Sequence, residues 1–320
     1  MQDVMTLASP NAIALLNLGA ALRERGYRFT TPTPATHQRV NQRLGNQEAR
    51  NLRDIFGWSR AFHRETLDAQ LFELMRQADV LEAQGMRWIS RVRWSSLGDV
   101  LFVHSRFPTN RADAVFFGPD TYRFARLVRN HLQHDTRPLA RIVDIGCGAG
   151  PGALTAALLR PQAEVLALDI NAQALAFTAV NTQLAGVSNL QMAQSDLLHD
   201  VTGNFDLIIA NPPYMLDPDR RTYRHGGGMH GAGLSLKIFD AALERLAPGG
   251  TLLLYTGVAI FEGQDSLFSA IQPSLYDLGW DWSYEEIDPD VFGEDLEKPD
   301  YAQAERIACI ALKLTRPIKR

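Results

Sequence analysis

Arg141-Ile142-Val143-Asp144-Ile145-Gly146-Cys147-Gly148-Ala149-Gly150-Pro151-Gly152 runs from a short apolar strand into a glycine-rich turn. Glycines at alternate positions let a backbone turn tightly and approach a ligand closely. Pro151 suits the first turn of a helix, where a missing N–H costs nothing, and Gly152–Leu159 reads as that helix. Its N-terminus would present free N–H groups to whatever sits above the turn. Outward from this point the chain alternates. Glu164–Leu168 reads as a strand, Ala172–Leu184 as a helix, Asn189–Met192 as a short strand and Asp206–Ala210 as an apolar strand. Ser235–Leu246 follows as a helix, and Pro248-Gly249-Gly250 turns into a strand over Thr251–Tyr255. This rhythm predicts an α/β fold with a Rossmann-like, doubly wound, mostly parallel sheet. Trp282–Ile287 and Ile307–Leu314 read as late strands that include an antiparallel edge.

The part ahead of that core has a different pattern. Ser9-Pro10 is a cap followed by proline at the first helical position, Ile13, Leu16 and Ala20 share a face, and Gly26 supplies a stop. Thr30–Pro34 reads as a turn-rich linker. Further helices are predicted near Gln47–Phe56 and from about Leu67, with Leu71, Leu74, Met75 and Ala78 on one stripe, to near Gly85. Trp88–Trp94 and Val100–His104 then read as two strands joined through Ser95-Ser96-Leu97-Gly98. The expectation is an N-terminal, mainly helical domain carrying a small β-hairpin, a winged-helix outline that many small domains share. It would cover residues 1–114 and recognise the substrate; residues 115–320 would be catalytic.

The 320 residues are 46% hydrophobic and 21% charged, an ordinary globular composition. No apolar run reaches the roughly 20 residues a bilayer span needs, so no membrane association is expected. The first residues lack the basic start, apolar core and cleavage site of a secretion signal. Cys147 and Cys309 build neither a disulfide framework nor a zinc motif, and a reducing cytoplasm is the expected compartment. Residues 1–113 hold 15 Arg, no Lys and 11 acids, whereas the remainder is acidic. A basic front could favour RNA phosphates; a general preference for Arg over Lys, of which the chain has four, is the simpler account.

Two ligand classes compete for the glycine turn. Gly148-Ala149-Gly150-Pro151-Gly152-Ala153 fits a dinucleotide fingerprint, which alone is weak. Asp144 sits two residues before Gly146, where a carboxylate would repel a pyrophosphate and attract the ammonium of a methionine moiety. Asp169 ends the second strand, where an acid can bind ribose hydroxyls, a feature both ligands share. Ser195-Asp196-Leu197 follows the third strand, placing an acid that can accept from an adenine amino group. S-adenosylmethionine is therefore the expected cofactor and a nicotinamide dinucleotide the competitor.

Asn211-Pro212-Pro213-Tyr214 follows the strand Phe205–Ala210. Ligands of open α/β sheets bind outside that strand edge. The prolines end the ladder, having no N–H, while their carbonyls remain acceptors. An amide or ring amino nitrogen is a poor nucleophile because its lone pair is delocalised. Asn211 Oδ1 and the Pro212 carbonyl can accept both of its N–H bonds and hold it towards a sulfonium methyl. Tyr214 can stack on a planar group.

Asp144–Gly152, Asp169, Asp196 and Asn211–Tyr214, in this order, resemble the class I methyltransferases. More narrowly, Val115–Gly257 resembles the HemK family, glutamine-N5 methyltransferases that modify peptide release factors. Phe117-Gly118-Pro119-Asp120-Thr121 stands where that family has a Pro-rich segment, and Gly227-Gly228, Gly231-Ala232-Gly233-Leu234 and Pro248-Gly249-Gly250 also match. The resemblance implies that Asp144, Gly146 and Gly148, with Gly150 beside them, hold the methionine part. It implies that Asp169 holds the ribose, that Asp196 and Leu197 lie by the adenine, and that Asn211, Pro212 and Tyr214 hold the substrate. The chain departs from the family in reading Phe-Gly-Pro-Asp-Thr for Pro-Arg-Pro-Glu-Thr, in lacking the family's Glu near Tyr255-Thr256-Gly257, and in its front hairpin.

The expected function is N-methylation of a planar nitrogen, with a macromolecular partner: a protein glutamine, as in a release factor or ribosomal component. The alternatives are an adenine or guanine amino group of rRNA or DNA, since the same motif serves such enzymes, and a non-catalytic protein that only binds S-adenosylmethionine. Met215–Gly233 reads as a lid or substrate loop, with Arg220, Arg221, Tyr223 and Arg224 available to phosphate or an acidic peptide. His225 and His230 lack a third partner for a metal. The acids between Glu285 and Glu305 would repel a phosphate backbone.

Overall fold

A computed structural model describes residues 9–318 apart from Arg220. The front part begins with α1 (Pro10–Glu24), α2 (Pro34–Asn41), α3 (Leu52–Phe56) and α4 (Ala69–Gln77). Ser9 caps α1 by accepting from the Ala12 N–H at 3.2 Å, and Asp68 caps α4 through Leu71. Two ribbons follow: β1 (Leu81–Gln84) with β2 (Arg87–Ser90), and β3 (Val92–Leu97) with β4 (Val100–Ser105). The single strand expected over Trp88–Trp94 is thus two, divided at Arg91, and there are two hairpins rather than one. The helix expected near Gln47–Phe56 starts only at Leu52, behind an Asn51 cap. α2 starts at Pro34, the last residue of the expected linker, and runs through a stretch where no helix is expected from sequence; Thr33 caps it through Thr36.

The remainder runs α5 (Pro119–His134), β5 (Arg141–Ile145), α6 (Pro151–Leu159), β6 (Glu164–Asp169), α7 (Ala172–Leu184), β7 (Leu190–Gln194) and β8 (Phe205–Ala210). Then come α8 (Gly233–Arg245), β9 (Leu246–Phe261), β10 (Gln264–Asp265), α9 (Ser266–Leu278), β11 (Asp281–Asp288) and β12 (Arg306–Thr315). One sheet holds β11-β12-β9-β8-β5-β6-β7 in that order, with β10 on β9. β7, β6, β5, β8 and β9 are mutually parallel; β12 and β11 add antiparallel to β9. The expected Rossmann-like fold with its antiparallel edge is what forms.

Side-chain alternation along the central strands divides the core. Val143, Ile145, Ile208 and Leu252 bury against Phe239 and Ile271 of α8 and α9. Ile142, Val165, Leu207 and Ile209 face the other way, in a cluster with Phe124, Ala153 and Leu175 of α5–α7. That second cluster continues without a break into the front part, through Leu18, Leu22 and Trp94. α1 lies close enough to α7 that a Cβ on Gly19 would meet Trp94 at 2.6 Å and Leu184 at 2.9 Å. Asn181 of α7 makes a polar tie. Its Oδ1 accepts from Val103 N of β4 at 2.8 Å, and its Nδ2 donates to the Val103 carbonyl at 3.2 Å and the Ala149 carbonyl at 2.9 Å. One fully buried amide thereby links the front part to the glycine turn.

Strand order reverses direction between β5 and β8, and a crevice opens beyond their carboxyl ends. The glycine turn follows one of these strands and Asn211 the other.

Candidate functional site

Beyond β5 the backbone enters the left-handed region at Gly146 (φ 70°), Gly148 (φ 57°) and Gly150 (φ 82°), which only glycine visits without strain. The Gly146 and Cys147 N–H groups donate to the Leu168 carbonyl, at 2.8 and 2.9 Å, fixing the turn to β6. Thr178 Oγ1 donates to the Gly148 carbonyl and Asn181 to that of Ala149, so α7 draws both carbonyls towards itself. A Cβ on Gly146 or Gly148 would meet nothing within 4 Å, because both face a cavity. A Cβ on Gly150 would press on Thr178 and Leu154, so that glycine serves packing.

The cavity collects most of the residues singled out from sequence. Gly146, Gly148, Asp169, Asp196, Leu197, Asn211, Pro212 and Tyr214 all line it. Asp144 and Gly150 do not. Asp144 is buried one layer behind the turn; its Oδ2 accepts from Ala153 N at 2.8 Å, and its Oδ1 has no partner among the described residues. Burial pushes its carboxyl up to about 7, with Asp169 adding to the effect and the Ala153 N–H opposing it. Asp169 accepts from Gly148 N and Asn171 N, both at 2.9 Å, and burial raises its pKa too. Asp196 is exposed at the rim. Leu197 is held at φ 53° by a turn in which Ser195 Oγ donates to its carbonyl.

Asn211 is half-buried, and none of the described residues hydrogen-bonds its side chain. Tyr214 is buried with its ring at the cavity wall and its hydroxyl turned inward, donating to Asp120 Oδ2 at 2.6 Å. Asp120 Oδ1 accepts from the Tyr255 hydroxyl at 3.0 Å and from Arg123 at 3.2 Å, and Arg123 also pairs with Asp288 at 2.6 Å. Cys309 packs beside the same oxygen at 3.8 Å. Burial and the Asp120 charge drive the Tyr214 phenol well above its usual range, so it stays protonated and keeps donating. In the sequence Asp120 stands out only as part of a segment, and Tyr255 carries no signal. The pairing spans 135 residues and leaves no local pattern.

The segment after the motif closes the cavity's outer side. Met215 bridges to His225, and Tyr223 hydrogen-bonds Thr109 while stacking on Phe116 at 5.7 Å. The arginines expected to greet phosphate are otherwise engaged. Arg221 is clamped by Asp217, and Arg224 pairs with Asp295 at 2.6 Å, because the segment folds back onto acids of its own chain. Arg220 lies outside the described residues. The acidic tract is correspondingly neutralised in part: Asp295 takes Arg224 and Lys298, Asp288 takes Arg123, and Glu286 takes Arg306. His225 accepts from Asp217 N, and His230 packs on Phe261.

The pocket fits S-adenosylmethionine on its own evidence. A buried carboxylate oxygen without a partner among the described residues lies behind a turn whose two cavity-facing glycines leave their Cβ space open, and acids stand at the ends of two successive strands. The acceptor set suits a cationic, ribose-bearing ligand: Asp144 would repel a pyrophosphate, and Asp169 suits the ribose of either ligand.

Comparison with known proteins agrees with this geometry. Residues 113–258 match the methyltransferase small domain. The release factor glutamine methyltransferase of Deinococcus radiodurans is 33% identical over 156 residues, covering 46% of this chain and 55% of that protein. The protein of the same name in Cereibacter sphaeroides is 36% identical over 175 residues, covering 51% and 60%. Ribosomal RNA small subunit methyltransferase C of Serratia proteamaculans is 30% identical over 118 residues, covering 37% and 31%. The chain spans 55% to 65% of the length of three release factor relatives. Residues 113–258, which hold both the glycine turn and the Asn-Pro-Pro-Tyr motif, are thus similar to the methyltransferase small domain, and this stretch resembles the release factor glutamine methyltransferases.

Proposed function

We propose that the protein is an S-adenosylmethionine-dependent N-methyltransferase acting on a planar NH2 nitrogen, with a glutamine side chain of a protein as the acceptor. The observation that carries the proposal is the Asn211 amide, without a hydrogen-bond partner among the described residues, in the same cavity as the open glycine turn.

In this reading Gly146 and Gly148 give the methionine part room against the backbone, with Asp144 as the buried anion behind them. Asp169 takes the ribose hydroxyls, and Asp196 and Leu197 the adenine. Bound there, S-adenosylmethionine supplies a methyl group on a positively charged sulfur. Asn211 Oδ1 and the Pro212 carbonyl accept the two N–H bonds of the acceptor. This fixes its rotation, favours pyramidalisation, and leaves the lone pair directed at the methyl. Tyr214, tethered through Asp120, presents a ring face on which the planar amide rests. The residues of the 215–233 segment keep water from the reacting atoms. No strong base is needed at the nitrogen, whose proton leaves after the new bond has formed. Among the described residues no helix is long and apolar enough to cross a membrane, and two free, buried cysteines suit a reducing cytoplasm.

An adenine or guanine amino group offers the same planar NH2, and the ribosomal RNA relative together with the aromatic wall of Phe116 and Tyr223 favours it as the second reading. Labelled transfer separates the two. The protein is incubated with cell lysate and tritiated S-adenosylmethionine. Label that resists nuclease and is lost to protease supports glutamine; label lost to nuclease and kept through protease refutes it.

A further inference from the structure

We infer that α2 and the start of α3 form a docking strip for an acidic face of the protein that carries the acceptor glutamine; this rests on the glutamine reading above. Residues 25–64 contain eight Arg, no Lys and two acids, Glu48 and Asp54. Both acids are already committed. Asp54 is buried in a 2.5 Å pair with Arg60, and Glu48 holds Arg87 at 3.0 Å with His63 beside it. Four exposed guanidinium groups, on Arg39, Arg43, Arg50 and Arg53, have no carboxylate partner among the described residues.

They fall on the end of α2, the turn after it and the start of α3, where the Arg53 guanidinium also donates to the Arg28 carbonyl at 3.0 Å. Arg39 lies in the last turn of α2, and Arg43 follows the Gln42 cap with its N–H donating to the Val40 carbonyl, so the two stand about one turn apart. The Arg50 guanidinium donates to the Gly45 carbonyl at 2.7 Å, which folds it back beside the Arg43 turn. Arg50 and Arg53 flank the Asn51 cap of α3. Between Arg43 and Gly45 stands Leu44, 98% exposed.

Two features favour an acidic protein over nucleic acid. An apolar side chain presented amid arginines matches the make-up of protein interfaces, which favour Arg over Lys. A single-stranded nucleic acid would want exposed aromatic platforms, and the one aromatic ring in the strip, His37, is buried. The strip is also linked to the cavity wall through packed residues. His37 of α2 packs 4.4 Å from Phe107, and two residues on, Thr109 accepts from the Tyr223 hydroxyl of the cavity wall at 2.9 Å.

The test uses the full chain as wild type, as R39E/R43E and as the conservative R39K/R43K. Binding of a labelled poly-glutamate peptide and of a labelled RNA hairpin is measured by anisotropy. Poly-glutamate should bind wild type more tightly than RNA, lose roughly tenfold or more in R39E/R43E, and be largely retained by R39K/R43K. Equal poly-glutamate binding by wild type and R39E/R43E, or tighter binding of the RNA hairpin to wild type, overturns the inference. A purified peptide release factor then serves as acceptor. R39E/R43E should raise its KM roughly tenfold at unchanged kcat and unchanged affinity for S-adenosylmethionine; an unchanged KM also overturns the inference. If wild type leaves that protein unmethylated, the glutamine reading fails there, and the binding arm still decides the strip.

Discussion

Replacing Asp120 by Asn tests whether Tyr214 works through its anchor. The substitution preserves shape but removes the charge that receives the Tyr214 hydroxyl at 2.6 Å, the Tyr255 hydroxyl at 3.0 Å and Arg123 at 3.2 Å. A hydrogen bond to a buried charge is worth about 1.5–3 kcal/mol. Asn keeps one acceptor oxygen, so one tyrosine retains its partner, and Arg123, a third exposed, keeps Asp288. The net loss should be about 2–3 kcal/mol of folding stability, most of it from one charge-assisted bond and from a donor turned against a hydroxyl. The activity effect has a different origin. A Tyr214 ring freed to shift by about 1 Å misplaces the acceptor, and such errors cost up to about 100-fold in rate. Urea unfolding gives the first quantity, and single-turnover transfer of labelled methyl to the acceptor gives the second. Calorimetry should show affinity for S-adenosylmethionine within about twofold of wild type, since Asp120 makes no bond to the glycine turn. Tyr214→Phe completes a cycle with a coupling of about 1 kcal/mol or more. A wild-type single-turnover rate in D120N, or additive effects of the two substitutions, would refute the anchoring argument.

Further outcomes are expected. Asn211→Ala should lower kcat by about 100- to 1000-fold, as loss of a transition-state acceptor does, with cofactor affinity unchanged by calorimetry; comparable losses in both would place Asn211 in the cofactor site alone. Asp144 should make behaviour depend on pH. Its folded pKa, pushed up to about 7, lies above the ordinary carboxylate value, so the folded state holds the proton more tightly. Stability should therefore be greatest below about pH 4, decline as pH rises towards 7 and level off above it. A cation in the cavity favours the ionised form, so S-adenosylmethionine affinity should improve through the same window. Asp144→Asn should flatten both profiles, and an unchanged slope in titrations at acid and alkaline pH would contradict this. Gly148→Ala places a Cβ at φ 57°, at a strain of about 1–2 kcal/mol, on the cavity side. Cofactor affinity should fall, whereas Gly279→Ala, at φ 59° on a surface helix end, should cost only stability.

What could be read from the chain and what could not divide along physical lines. β5, the Pro151 helix start and α7 fall where strand composition, glycine spacing and periodicity place them, because local preference and tertiary need agree there. α5 went unseen. Phe124, Ala125, Val128 and Leu132 do carry a helical stripe, but it is interleaved with Arg123, Arg126, Arg129 and His131 and begins in a segment that draws attention as a motif. α9 holds Pro273 in its interior, which in sequence argues for a break. In the site, the shared position of the turn and the Asn-Pro-Pro-Tyr residues was legible because each follows the carboxyl end of a central strand. The Asp120 network was not, since its members come from α5, β9, β12 and the loop after β8 and meet only when the sheet is assembled. The engagement of Arg221 and Arg224 by Asp217 and Asp295 was hidden likewise: free charge in a sequence says nothing of its counterion.

The Asn181 amide bears on how such a chain could be taken apart or recombined. Its two faces copy an adjacent strand for Val103, while its second N–H steadies the Ala149 carbonyl in the turn beneath the cofactor. A cut between residues 114 and 115 would leave that amide without the peptide it complements and would uncover the apolar side of α7 against which α1 rests. Residues 115–320 should therefore not fold as a free-standing cassette. Any different front module joined to it would have to offer an edge peptide at the position of Val103, or replace Asn181 with a residue that satisfies Ala149 alone.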